Sequence, residues 1–162
     1  MERVAYGFPR LGRNREYKKA IEGYWKGKLD AAALEDDLTS LQRSMLEAYA
    51  SQVDEYPTGE MTRYDWMLDT AIMLGVYNPA DLAEYYELCR GDHPLEMTKW
   101  FNTNYHYIVP QLDGFKPEDF KLNPPARPAD ATTAPPRFLL GPFTFLKLSK
   151  DMEPSRLPDY LS

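Results

Sequence analysis

Thirteen residues near the start, GFPRLGRNREYKK at 7–19, concentrate five arginines and lysines in a chain whose formal net charge is −6. Gly7 and Gly12 have the glycine spacing of the phosphate-cradling loop G-x-x-x-x-G-K-[ST]. In such loops the lysine and the hydroxyl hold the terminal phosphates and Mg²⁺, yet here Gly12 is followed by Arg13 and Asn14. Pro9 also removes one backbone N–H from the cradle. The nucleoside-triphosphate reading fails at its most important position. What survives is more general: several cations at a strand-to-helix turn, where the first N–H groups of a helix and its positive dipole end favour an anion. Carboxylates and phosphates are the ligands of that chemistry, and a solvated basic helix face is the plainer alternative.

The rest of the inventory is thinner. The two histidines, His93 and His106, have no metal-ligand spacing and no H-E-x-x-H, so a zinc hydrolase is not supported. No G-x-S-x-G elbow places a serine nucleophile. Cys89 stands alone, without a neighbour to lower its pKa, and reads as a small semi-buried residue. Glu96 and Lys99 fall at the end of an expected strand, where parallel sheets and barrels bind ligands, although a surface ion pair explains them equally well.

Val4–Phe8 reads as a short strand, followed by a Gly/Pro/Arg loop and a helix over about 15–28. On that helix Tyr17, Ala20, Ile21, Tyr24 and Trp25 share one arc, and Arg15, Lys18 and Lys19 lie on the adjoining one. The cations therefore sit beside the loop and off the core face. Asp30 caps a second helix with a Leu34, Leu38, Leu41, Met45 stripe. Gln52–Tyr56 is a second candidate strand. Thr62 with Asp65 resembles a capping box opening a helix that stops at Gly75. Asn78-Pro79 opens the next helix, which stops near Gly91 with Cys89 in its last turn. Leu95–Thr98 reads as a third strand and Arg137–Leu140 as a fourth, with a loop and short helix in GPFTFLKLSK after it. Six prolines within 117–136 make that stretch loop or extended chain.

Strands separated by helices indicate an α/β fold with β/α units on a parallel sheet. The length of 162 residues suits a single domain with a real core. Residues 1–28 carry eight Lys/Arg against three Asp/Glu, whereas the remainder carries eleven against twenty-two. Such an acidic chain is a poor general binder of nucleic acid, and its basic island suits a small anion better. No apolar run approaches a membrane span of about 18 residues, and the N-terminal charges leave no apolar signal region. A cytoplasmic protein is expected.

GFPRLGRNREYKKAIEGYWKGK at 7–28 resembles the opening of the cobalamin-independent methionine synthase family, with its GFPR-x-G…RE-x-KKA…E-x-YW-x-G pattern. LEMTKWFNTNYHYIVPQL at 95–112 is similar to that family's EMTKWF-[DN]-TNYHY-x-VPE segment. YDWMLDTAIMLG at 64–75 and FLLGPFTFLKLSK at 138–150 match two further family blocks, in the right order along nearly the whole chain.

The resemblance implies the first part of an N-terminal (β/α)₈ barrel, roughly half of it, with about four parallel strands. It implies a methyltransferase of methionine biosynthesis that moves a methyl group from 5-methyltetrahydrofolate carrying a polyglutamate tail to homocysteine. The family's zinc and most of its catalytic groups belong to a C-terminal barrel whose motifs do not occur here. This chain is thus expected to bind no cofactor of its own and to be inactive alone. Carried over, the family's R-E-x-K tail-binding segment falls on Arg15, Glu16, Tyr17 and Lys18, and its EMTK lysine on Lys99. Tyr17 replaces the usual Leu. NPPARPADATTAPP at 123–136 stands where the family has a helix, and its prolines argue against one. A half barrel would expose strand edges, so pairing with a complementary chain carrying the zinc barrel, a homodimer, or a fragment of a longer protein is expected. The alternative is a degenerate, non-catalytic member that binds small anions or serves as an assembly module.

Overall fold

The structure, a computed structural model, describes residues 1–7, 11–123, 139–151 and 156–161. It shows an α/β chain with a small two-stranded sheet, divided into two compact units. The first is built on residues 1–63, and the second on residues 64–123 and 140–161.

In the first unit, α1 (Glu16–Trp25) packs against α2 (Ala31–Ala50). The amphipathic spacing does what it predicts: Tyr17, Ala20 and Ile21 are buried, as are Leu34, Leu38, Met45 and Tyr49 of α2. Each fully buried leucine contributes about 1.5–3 kcal/mol relative to exposure. Gly27, at φ 67°, makes the left-handed stop after α1, and the Asp30 carboxylate caps α2 by accepting from the Ala33 N–H at 2.8 Å.

One buried residue of α2 breaks the apolar pattern. The Gln42 amide is 2% exposed, and neither its nitrogen nor its oxygen has a hydrogen-bond partner among the described residues. An unsatisfied buried amide costs about 1–3 kcal/mol, so Gln42→Met, close in shape, should raise the unfolding midpoint in denaturant. An unchanged or lower midpoint would show that the amide is satisfied in solution.

The strands expected at Val4–Phe8 and Gln52–Tyr56 reduce to one parallel bridge, Val4 with Glu55. The Ala5 N–H donates to the Glu55 carbonyl at 3.1 Å, and the Asp54 N–H to that of Arg3 at 2.9 Å. Phe8 lies outside the described residues. Val4 and Tyr6 are 69% and 79% exposed, so no apolar cover extends the pairing.

In the second unit, α3 (Trp66–Met73), α4 (Leu82–Arg90), β1 (Met97–Lys99), β2 (His106–Ile108), a 3₁₀ turn (Pro117–Asp119), α5 (Pro142–Leu148) and α6 (Leu157–Leu161) follow in order. Both expected caps move three residues on. Asp65, not Thr62, caps α3 by accepting from the Leu68 N–H at 3.0 Å. Asp81, not Asn78, caps α4 through the Glu84 N–H at 3.0 Å, and Glu84 reaches back to the Ala80 N–H at 2.7 Å. Asn78 instead donates to the Gly75 carbonyl, at 3.1 Å.

The expected third strand is present as β1, but it pairs antiparallel: Met97 with Ile108, Thr98 with Tyr107, Lys99 with His106. Only residues 100–105 join the two strands, far short of the dozen or so a parallel crossover needs. Phe101, at φ 53°, and the Trp100 N–H to Tyr105 carbonyl bond of 2.8 Å close the turn. A second parallel bridge joins Gln111 to Lys150. The four parallel strands expected from the half-barrel reading are therefore not seen as regular strands among the described residues. Arg137 and Phe138 of the fourth, and most of the proline-rich stretch (124–136), lie outside them. Gly141-Pro142 opens α5 as expected, and Met67, Ala71, Tyr107, Val109, Leu112, Phe145 and Leu146 form the core of this unit. Among the described residues, no helix is long and apolar enough to cross a membrane.

Candidate functional site

The cationic turn is held from behind by an acid that sequence inspection did not single out. Glu60 is 5% exposed; its carboxylate accepts from the Tyr49 hydroxyl at 2.7 Å and from the backbone N–H of Gly7. Gly7 has φ 84°, a conformation that favours glycine at the start of the loop. The only sequence signal was an acid in a turn segment, GEMT, whose neighbours are apolar.

Gly12, at φ 73°, leads into α1, and a side chain there would collide with Glu16 and press on Leu41. Arg15 follows as the residue preceding the helix, in the left-handed conformation at φ 62°, ψ 37°. For a non-glycine residue this costs on the order of 1–2 kcal/mol. It is accepted because Arg15 lies between two backbone bonds: its N–H donates to Gly12 at 3.4 Å, and its carbonyl accepts from Lys19 at 3.1 Å. The Arg15 side chain is exposed and makes no ion pair among the described residues.

The helix N-terminus is partly occupied by the chain itself. Glu16 folds back so that its carboxylate accepts from the Asn14 backbone N–H at 2.9 Å and the Asn14 side-chain amide at 3.1 Å. Bonds from its own backbone N–H and that of Asn14, with the Lys19 charge adding to them, hold this carboxyl below the ordinary value. The Tyr17 N–H is also taken, by the Leu11 carbonyl at 3.3 Å. Side chains are therefore the main donors left for an incoming anion.

Tyr17 lies in the core, 6% exposed, with its hydroxyl donating to the Arg63 carbonyl at 2.7 Å. It anchors α1 and fixes the direction of the residues on either side. Lys18 is half-exposed and pairs with Glu22 at 3.3 Å, and Glu22 also holds Lys26 at 3.2 Å. Lys99 belongs to the second unit, exposed on β1, without an ion pair among the described residues. Glu96 is not its partner; it pairs with Lys150. The structure thus brings Arg15, Glu16 and Lys18 together at one turn, with Tyr17 beneath them.

Beside this turn, α1 and α2 enclose a groove of about 620 Å³, onto which Arg13 and Lys19 face. Cys89 is buried, its thiol donating to the Tyr85 carbonyl at 3.4 Å, and burial with the Asp69 and Asp65 charges pushes its pKa up, so it is no nucleophile. The described residues bring no three His, Cys, Asp or Glu side chains together as metal ligands, so they do not fit the zinc site of the resemblance.

Comparison with known proteins bears on what this arrangement serves. The family model described as "Cobalamin-independent synthase, N-terminal domain" matches residues 2–161. A Thermotoga maritima protein is 42% identical over 163 residues, covering 93% of this chain, and a Streptomyces avermitilis protein is 43% identical over 190 residues, covering 98%. A Mycobacterium leprae protein is 41% identical over 169 residues. All three are named 5-methyltetrahydropteroyltriglutamate–homocysteine methyltransferase. The chain spans 22–23% of the length of these curated relatives. The Streptomyces alignment is longer than the chain's 162 residues, so that relative carries residues within the matched region that this chain lacks.

Proposed function

Because the chain belongs to the cobalamin-independent synthase N-terminal-domain family, we propose that it binds the polyglutamate tail of 5-methyltetrahydrofolate and supports methyl transfer to homocysteine. The observation that carries this reading is Arg15: a strained left-handed arginine whose charge is exposed at a turn otherwise satisfied by its own chain. Strain retained at a surface residue without a structural partner is expected where the side chain serves a ligand. Its guanidinium presents a planar fork to a tail carboxylate, and Lys18 adds a point charge on leaving Glu22. Glu16 holds the turn, and Tyr17 fixes the helix beneath it. Lys99, exposed on β1 of the second unit, is proposed separately as a tail-binding residue, and Lys99→Ala should weaken binding of the triglutamate.

In this reading the methyl transfer itself falls to the zinc-bearing barrel of the family, whether that barrel belongs to the same polypeptide or to a complementary chain. Pairing with such a chain, or a homodimer, belongs to the same proposal. The two parallel bridges favour reading the fold as part of a (β/α)₈ barrel. A cytoplasmic location goes with this biosynthetic role.

Calorimetric titration with triglutamylated methyltetrahydrofolate tests the reading. Binding should weaken severalfold between low and physiological salt, because the cations involved are exposed. Absence of binding, or affinity indifferent to salt, would overturn it.

A further inference from the structure

The α1–α2 groove lies next to the Arg15–Lys18 turn, but neither of those residues lines it. Its mouth carries Arg13 and Lys19, and neither makes an ion pair among the described residues. Its walls add the Ser40 and Ser44 side chains, and its floor is the apolar Leu41 and Met45. At about 620 Å³ it falls within the range of small-ligand sites. Resting on the tail-site reading above, we propose that this groove is a further subsite, which takes the glutamates of a tail longer than three.

The chemistry of the repeat matches the lining. Each added γ-glutamyl unit brings one carboxylate, one amide and a short run of methylenes. The cations suit the carboxylates, the serine hydroxyls suit the amides, and the leucine and methionine suit the methylenes. Arg13 precedes Arg15 by two residues and Lys19 follows Lys18 directly, so the cations of the groove adjoin those of the turn in the sequence. Two acids also line the groove. Glu16 is ionised, with its oxygens turned onto the Asn14 N–H groups, and it opposes a carboxylate at that end of the groove. Asp37 stands one helical turn before Leu41 on α2 and repels any carboxylate that reaches it, which limits the length the groove accommodates.

The test is calorimetry on the 162-residue chain with methyltetrahydrofolates carrying one, three and five glutamates. Five should bind about fivefold tighter than three, as two exposed charge pairs supply. Arg13→Ala with Lys19→Ala should erase that gain and keep the preference for three over one. Ser44→Phe replaces an exposed side chain, fills the groove without altering charge, and should erase the gain as well. Equal affinity for five and three, with three still preferred over one, overturns the groove alone. A gain that persists in Ser44→Phe also overturns it, since diffuse charge attraction would then explain the effect. Loss of the preference for three over one in the unsubstituted chain overturns the tail site itself, and the groove with it.

Discussion

Replacing Arg15 by glycine should remove most of the affinity for a triglutamate tail while leaving the chain at least as stable. The two effects have separate origins. At φ 62° an arginine carries a steric cost of about 1–2 kcal/mol that glycine does not. Part of that relief is lost to the greater freedom of glycine in the unfolded chain, about 0.4–1 kcal/mol, so the net change is between neutral and roughly 1.6 kcal/mol stabilising. No helix cap is lost, because the Arg15 side chain makes no capping hydrogen bond. On the binding side the guanidinium's charge-assisted bonds to a carboxylate disappear, which costs about 1.5–3 kcal/mol, roughly tenfold to a hundredfold in affinity. Lys18→Ala should cost about twofold to threefold, since that lysine must first leave Glu22. Denaturant unfolding and calorimetry read the two quantities independently. A variant that binds as the parent does would show that the strain at residue 15 has another purpose.

The largest stability effect is expected at Asp65, in the second unit. Its carboxylate is 2% exposed and accepts from the Leu68 N–H at 3.0 Å, the Ile108 N–H at 3.2 Å and the Tyr105 hydroxyl at 3.5 Å. One side chain thus caps α3 and ties it to β2. Alanine would leave two buried backbone donors unsatisfied, at about 1–3 kcal/mol each, so a total loss of roughly 3 kcal/mol is reasonable. Against a typical domain stability of about 5–15 kcal/mol, that loosens the whole unit. Asparagine keeps an acceptor for the cap and should cost about half as much. Amide exchange at Leu68 and Ile108 should accelerate more than elsewhere in the core. An alanine variant within about 0.5 kcal/mol of the parent would refute this role.

What could be read in advance was local. The arc of Tyr17, Ala20 and Ile21 follows from helical spacing, and so does the stripe of Leu34, Leu38 and Met45. The Asp30 cap, the Gly75 stop and the Gly141-Pro142 start need only neighbours in sequence. The shifted caps show the limit of this reading. Thr62 and Asp65, like Asn78 and Asp81, offer two capable residues three positions apart, and the choice depends on which has extended backbone and reaches the third helical N–H. Strand pairing was less accessible still. β2 sits in the aromatic run after Trp100, and its antiparallel partnership with β1 depends on a turn whose bonds join residues 100, 103 and 105. Glu60 was beyond reach, because its partners Tyr49 and Gly7 are 11 and 53 residues away. At the candidate site, the cations of 13–19 were legible from charge alone. That the helix N-terminus is partly filled by Glu16 was not, since it depends on the side chain folding back.

The turn is expected to recognise the tail, and not merely a negative charge. The most direct measurement is the affinity of the unsubstituted chain for methyltetrahydrofolate with three glutamates against one, in the same buffer and at the same salt. Recognition by Arg15 and Lys18 gives the triglutamate an advantage of about tenfold or more. Equal affinities would contradict it, and would leave a turn that holds small anions without regard to what carries them.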